Sequence, residues 1–302
     1  MQSIGIDFGT TNTVLALCGA DGEAHVQRFT HERQPFEAFR TTLSFRRNPA
    51  SVAEPRCEAG PRAIDSFIES PEDTRFLQSF KSFAASAAFS GTAIFLRRYK
   101  VEDLLASFID RARFHTGLKS LPQRLVAGRP VTFAGHNPDE ALARQRYDAA
   151  FQKLGFRQIS YVLEPGAAAQ LYAQRLTGAA TILVGEFGGG TSDFSVVRFE
   201  RGPGGMTAQA LGHSGVGIAS DTFGYRIVEA CVDQVLAKTG LGPEHIDCLF
   251  LTGGTSYVPA VRRLFLRRFG PERIETRDQL LSIAKGFALI SASKDLARWA
   301  VA

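Results

Sequence analysis

Two short stretches of this chain carry residue types that could hold a polyphosphate. Asp7-Phe8-Gly9-Thr10-Thr11-Asn12 sets a carboxylate, an aromatic ring, a glycine and a Thr-bearing turn in succession. Glu186-Phe187-Gly188-Gly189-Gly190-Thr191-Ser192-Asp193 repeats that order 179 residues later. A Gly/Thr turn exposes successive backbone N–H groups in a concave nest that binds phosphate oxygens, and glycine lets the backbone come close to the anion. Carboxylates at the base of such turns suit Mg2+, held largely through water. Other phosphate motifs are excluded. Gly117-Leu118-Lys119-Ser120 lacks the order of the GxxxxGKS/T loop. Gly215-Val216-Gly217-Ile218-Ala219-Ser220 lacks the third glycine and the leading strand of a dinucleotide fingerprint.

The elements that must position these loops can be read from periodicity. Residues 4–17 suit two antiparallel strands around a tight turn, and 31–59 read as irregular or short strands. Helical spacing is expected from Ser66 to His115, clearest at Val101, Leu104, Leu105, Phe108 and Ile109. Strands are expected at 125–130 and 158–163, separated by a helix from Glu140 to Leu154 that is capped by Asn137 or Asp139 and ended by Gly155. A small-residue helix is expected from Ala167 to Arg175. In the second half, strands are expected at 180–184, 194–199 and 248–252, with helices over 220–238, along the arginine-rich stretch Arg262–Phe269, and over 278–291. Alternating strands and helices argue an α/β architecture with largely parallel sheets. The 179-residue repeat implies two similar lobes facing each other across a cleft.

Composition narrows the class. The chain has 302 residues, 44% hydrophobic and 22% charged, which suits a globular protein of about two lobes. The net charge of +5 is mild, and the arginines of 262–268 alternate with Val261, Leu264, Phe265 and Phe269 as on a solvated helix face, so no nucleic-acid partner is expected. Cys18, Cys57, Cys231 and Cys248 have no metal-ligand spacing and read as free thiols, and the six histidines likewise show no ligand spacing. No apolar run reaches the roughly 20 residues of a membrane span, and Met1-Gln2-Ser3 carries no charged leader. The expectation is a soluble cytoplasmic protein with no membrane partner.

The loop motifs also resemble a known family. Residues 5–13 resemble the first phosphate loop of DnaK-type heat-shock chaperones, within the actin-like ATPase superfamily, and residues 187–193 resemble the second. Leu251-Thr252-Gly253-Gly254-Thr255-Ser256 with Val258-Pro259 is similar to the adenosine loop. Leu163-Glu164-Pro165 with Ala167–Ala169 is similar to the first connecting segment, and Ser79–Phe83 to the catalytic-lysine region. The order holds along nearly the whole chain, and the stand-alone bacterial YegD-like group is the variant it most resembles. The resemblance implies a two-lobed, ribonuclease H-like fold. Lobe I would be 1–175, with 1–30 and 116–175 as its core and 31–115 as an outer subdomain; lobe II would be 176–302, its last helix packing back on lobe I.

It also implies ATP/ADP and Mg2+ as ligands. Asp7, Glu186 and Asp193 would hold the metal, mostly through water. Gly9, Thr10, Thr11, Asn12, Gly188, Gly189 and Gly190 would grip the phosphates, and Gly253, Gly254 and Thr255 would lie against the adenosine. Lys81 would neutralise γ-phosphate charge, Glu164 would help position metal-bound water, and Thr191 and Asp193 would hold the attacking water, so that catalysis is positioning and electrostatics.

Two departures from the family pattern stand out. The second loop opens with Glu186 where the family has aspartate, and displacing a carboxylate by about 1 Å can cost on the order of a hundredfold in rate. Only 36 residues separate Gly217 from Gly253, where the family places a subdomain that closes over the adenine. The outer subdomain of lobe II is therefore expected to be missing, with weak nucleotide affinity, little open–closed motion, and room for a protein partner at the shortened lobe. No peptide-binding domain is expected after Ala302, nor a complete client cycle in cis. The leading expectation is an Mg-ATP-binding domain with slow hydrolysis; the alternative is an inactive pseudo-ATPase serving as a scaffold. A sugar or acetate kinase lacks support, because no sugar-site motif is visible.

Overall fold

The computed structural model describes residues 3–51, 54–202, 205–217, 225–294 and 296–301. The chain opens with β1 (Ser3–Phe8), β2 (Asn12–Cys18) and β3 (Ala24–Val26). An outer region follows: β4 (Phe29–His31), β5 (Gln34–Phe36), β6 (Phe39–Arg40), β7 (Thr42–Arg46), β8 (Arg56–Ala59), α1 (Pro61–Glu69), β9 (Thr74–Gln78), β10 (Gly91–Ile94) and β11 (Arg97–Lys100). Next come α2 (Val101–Thr116), β12 (Arg124–Arg129), α3 (Glu140–Lys153), β13 (Gln158–Leu163) and α4 (Glu164–Ala173). The second half holds β14 (Ala180–Phe187), β15 (Ser192–Gly202), β16 (Gly205–Val216), α5 (Tyr225–Thr239), β17 (Cys248–Thr252), α6 (Pro259–Phe269), β18 (Ile274–Glu275), α7 (Ser282–Ala292) and α8 (Leu296–Trp299).

Two sheets carry the same plan. The first runs β13-β12-β1-β2-β3, with β6 also on β2, and the second runs β18-β17-β14-β15-β16. In each, the leading strand pairs antiparallel with the next and parallel with the strand that follows a helix. Each copy of the plan thus reads as three antiparallel strands, then helix, strand, helix, strand, helix, and β4 to β11 form an insertion in the first copy. The sheets are mixed rather than largely parallel, because the tight Gly/Thr turns can only join antiparallel neighbours.

Several boundaries differ from the sequence reading. Between Ser70 and Lys100 no α-helix forms; β9 pairs with β7, and two 3-10 turns, Pro71–Asp73 and Phe80–Phe83, flank it. Strand pairing with β7 overrides the local spacing there. Helix α4 begins at Glu164 rather than Ala167, since Pro165 is well suited to a first helical turn. Helix α7 begins at Ser282 rather than Asp278, whose backbone is left-handed (φ 51°) and whose carbonyl accepts the Leu281 and Ser282 N–H groups. The expected start of α5 at Ser220 lies outside the described residues. Asp139 caps α3, accepting the Leu142 N–H at 2.9 Å, and Gly155 (φ 88°) follows its end. Helix α6 buries Val261, Leu264, Phe265 and Phe269 and turns Arg262, Arg263 and Arg267 outward.

A shared core joins the sheets: Val126 and Val162 meet Val184 and Phe250 through Ala167–Ala169 of α4 and Phe287 of α7. Although α7 follows the second sheet, it packs on the first. A Cβ on Gly5 would lie 2.6 Å from the Ala288 nitrogen, and one on Gly286 would lie 1.9 Å from the Ala167 carbonyl oxygen, so both close approaches require glycine. The four cysteines are free. Among the described residues no helix is long and apolar enough to cross a membrane.

Candidate functional site

The two Gly/Thr loops are built alike. The Gly9 N–H donates to the Asn12 carbonyl at 3.0 Å, and the Gly188 N–H donates to the Thr191 carbonyl at 3.0 Å. Asp7 sits opposite Val14 in its hairpin, and Glu186 sits opposite Asp193. Glu186 and Asp193 therefore belong to the strand ladder rather than to the turn, and they form a cross-strand pair of acids. Asp7 and Glu186 hold equivalent places in the two copies, and Val14 is the counterpart of Asp193.

The loops meet face to face. A Cβ on Gly189 would lie 2.0 Å from Thr11 Oγ1, and one on Gly190 would lie 2.9 Å from Thr10 Oγ1. At the end of β17, Gly253 is left-handed (φ 83°), donates its N–H to the Gln279 carbonyl at 2.8 Å, and would strike the Phe187 carbonyl oxygen with any Cβ. One cleft of about 190 Å3 is lined by Asp7, Gly9, Thr10, Thr11, Asn12, Lys81, Glu164, Glu186, Gly188, Gly189, Gly190, Thr191, Gly253, Gly254 and Thr255. Phe187 of the second loop also lines it, and Val14, Gln279, Leu280 and Ile283, which no motif in the sequence marked, complete its wall.

Beneath the loops is a cluster of acids with one lysine. Carboxylate oxygens of Glu164, Glu186 and Asp193 lie within 4.8 Å of one another, and all three side chains are buried. Glu164 rather than Asp7 completes this closest triad; Asp7 lines the adjoining cleft. Asp193 Oδ1 accepts the Val131 N–H at 3.0 Å and the Thr132 N–H at 3.3 Å, while Asp193 Oδ2 and Glu186 Oε2 are buried without a partner. Burial, reinforced by the Glu164 charge, raises the Asp7 carboxyl to about 8 despite the opposing Lys81. Burial and Glu164 raise Asp193 to about 7, against hydrogen bonds from Thr191, Thr132 and Val131. Burial holds Glu186 well above the carboxylate range, with Glu164, Asp193 and Asp7 adding repulsion. Two orphaned carboxylate oxygens in an all-oxygen donor set fit a hard divalent cation, which would restore these groups to their ionised forms.

Lys81 is itself buried, and its Nζ donates to Glu164 Oε1 at 3.2 Å. The Nζ also lies 5.7 Å from the centre of the Phe8 ring. Burial pushes the Lys81 ammonium down, but Glu164, Tyr147 and Asp7 more than offset this and keep it firmly protonated. The backbone around it is constrained: Ser79, two residues earlier, is left-handed (φ 55°). Arg146 of α3, buried, donates to the carbonyls of Phe83, Ala84, Ser86 and Phe89 at 2.8 to 3.0 Å, and the Asp139 N–H donates to the Ala85 carbonyl. Arg146 thus anchors the loop that carries Lys81. Nothing in the sequence distinguished it from the other polar residues of an amphipathic helix.

Comparisons with known proteins agree at a coarse level. No family model matches the chain. The chain is similar to a chaperone protein HscA homolog of Bordetella petrii, 25% identical over 224 residues. The match covers 66% of this chain and 32% of that protein, so the chain spans about a third of the length of the curated relative it matches. The molecule is an α/β protein with two copies of one mixed-sheet plan around a loop-lined cleft, an arrangement that fits an actin-like ATPase. The particular relationship that the similarity supports is with the heat-shock chaperones of the HscA kind.

Proposed function

We propose that this chain is a nucleotide-binding domain of the heat-shock type that binds Mg-ATP and hydrolyses it slowly. One observation carries the reading: two loops with the same hydrogen-bonded turn face each other over a buried carboxylate cluster that contains a single buried lysine. The resemblance of the loops to the DnaK-type motifs, nearest to the stand-alone YegD-like group, is consistent with it.

In this reading Thr10, Thr11 and Gly188–Gly190 hold the β- and γ-phosphates, and Gly253–Thr255 receive the adenosine. Glu164, Glu186 and Asp193 hold Mg2+ with Asp7 beside them, directly or through water; the ion supplies charge neutralisation on the phosphate oxygens. Glu164 fixes Lys81 Nζ near the developing γ-phosphate charge, where a preorganised cation stabilises the transition state without reorganisation. Asp193 and Thr191 orient the attacking water. The cleft is smaller than the roughly 300–1,000 Å3 usual for small-molecule pockets, so Thr11 and Gly189 must part to admit a nucleotide. Helix α5 is followed by β17 after only eight residues, and the reading takes this short connection as a lobe II without an outer subdomain. Weak affinity and an open adenine side follow from it, leaving that edge to a protein partner.

Calorimetric titration of Mg-ATP, with phosphate release followed in parallel, tests the proposal. Binding with slow release that is abolished by Asp7→Ala supports it, and unchanged turnover in that variant refutes it. The second reading, a nucleotide-binding scaffold without turnover, is favoured by Glu186 in place of aspartate. It predicts a raised melting temperature with Mg-ATP but no phosphate release.

A further inference from the structure

Away from the cleft, a second pocket of about 800 Å3 opens in the outer region, between the β4–β5 hairpin, α1 and the end of α2. Three side chains converge there. His31 Nε2 lies 2.9 Å from Asp65 Oδ2, and a Glu32 carboxylate oxygen completes a set of ligand atoms all within 4.8 Å of one another. The chain positions them with care: Glu32 and Arg33, the two residues of the hairpin turn, are both left-handed (φ 46° and 66°), a turn that usually demands Asn or Gly.

A fourth group lines the same pocket. His115 is only 8% exposed, and its Nδ1 lies 3.1 Å from the Thr30 carbonyl oxygen. A carbonyl can only accept, so Nδ1 carries the proton and Nε2 presents a lone pair. That Nε2 is buried and has no partner. The Nε2 atom is closed off from solvent and stands outside the set of atoms that could share an ion.

We propose that this pocket binds a divalent transition metal such as Zn2+, with His31, Glu32 and Asp65 as ligands and water completing the coordination. One imidazole nitrogen with two carboxylates favours Zn2+ or Co2+ over Ca2+ and Mg2+, which prefer all-oxygen sets. Arg46, Arg56 and Arg62 also line the pocket and Glu58 and Glu69 oppose them, so the local charge leaves affinity modest. A bound ion would clip the hairpin to α1 across residues 34 apart in sequence, a spacing that no sequence motif reports. The site is independent of the nucleotide reading.

Co2+ titration of the whole chain, with excess Mg2+ present to fill the Glu164–Glu186–Asp193 cluster and followed by visible absorption, tests this, with Zn2+ competition and metal-dependent melting as second readouts. The expected result is one equivalent bound, displaced by Zn2+, with binding at least tenfold weaker in both His31→Ala and Asp65→Ala. His25→Ala should bind as wild type; it removes an exposed His–Asp pair of the same 2.9 Å separation that lacks a third ligand. Melting without metal confirms that each variant folds. Failure of the folded wild type to bind either ion at 100 µM overturns the proposal. Binding that survives both His31→Ala and Asp65→Ala, or that is lost in His25→Ala, also overturns it.

Discussion

Adding one methyl group at Gly189 tests whether the two loops touch in solution. The built Cβ would stand 2.0 Å from Thr11 Oγ1, 3.1 Å from Thr11 Cβ and 3.7 Å from Thr11 N. An ordinary contact needs about 3.5 Å, so the hydroxyl must move by more than an ångström. Rotating the threonine relieves the worst contact but not the approach of the two Cβ atoms, so the loops must also separate by a few tenths of an ångström. Overpacking of this size costs about 1–3 kcal/mol, a fall of a few degrees in melting temperature for a chain this long. Gly178→Ala is the control, because a Cβ there meets nothing within 4 Å and the backbone is not left-handed. Thr11→Ala removes the clashing hydroxyl, so the Gly189→Ala/Thr11→Ala double variant should recover part of the loss, giving a coupling energy on the order of 1 kcal/mol by chemical denaturation. Displacing Thr11 should also cut any phosphate release by about a hundredfold. A Gly189→Ala protein as stable as wild type, with no coupling to Thr11→Ala, would refute the abutting loops and with them the closed cleft.

Three further outcomes follow from the geometry. Asp7 and Asp193 bind protons more tightly when folded, at about 8 and about 7 against an ordinary 3.8. Without metal, their contribution to stability is therefore present below pH 3.8 and is lost as pH rises toward 7–8. Mg2+ should flatten that decline and release protons near pH 6.5, measurable by calorimetry in two buffers of different ionisation enthalpy; proton-neutral binding would contradict the raised carboxyls. Arg146→Met strands four carbonyl oxygens, and at roughly 1 kcal/mol or more each the loss should be several kcal/mol in urea unfolding; a loss below 1 kcal/mol would show that the Lys81 loop stands without it. Lys81→Met leaves Glu164 buried without its cation, about 3–5 kcal/mol, and Lys81→Met/Glu164→Gln should be the more stable of the two; the reverse order would refute the ion pair as drawn.

The cleft was legible because its chemistry is local. Gly9-Thr10-Thr11 and Gly188-Gly189-Gly190 announce a turn from sequence alone, and each dictates a hairpin that leads its sheet. The duplication of β1–β2 in β14–β15 then follows from the repeat. What was not legible depends on distant partners. The strand β9 exists because β7 lies beside it. Glu164 joins the closest acid triad only because Gly128 leaves room: a Cβ there would lie 3.1 Å from Glu164 Cγ. Arg146 serves a loop about 60 residues away, and His31 meets Asp65 only after a hairpin folds over α1. Periodicity reports which face of an element is buried, and it is silent on what that face touches.

The placement of α7 also constrains how the molecule can be made. Ser3 and Ser291 share a hydrogen bond across 288 positions, and Phe287 and Ala288 lie against β1 at Gly5. During synthesis, β1 and β2 emerge early, yet the apolar surface formed by Val14 and Ala16 stays uncovered until Ala284 and Ala288 have been translated. Contacts of such high sequence separation slow folding, and the waiting surface is an aggregation hazard. The first sheet is thus not an autonomous folding unit, and residues 1–175 expressed alone should remain insoluble or molten until a peptide carrying 282–292 is supplied in trans.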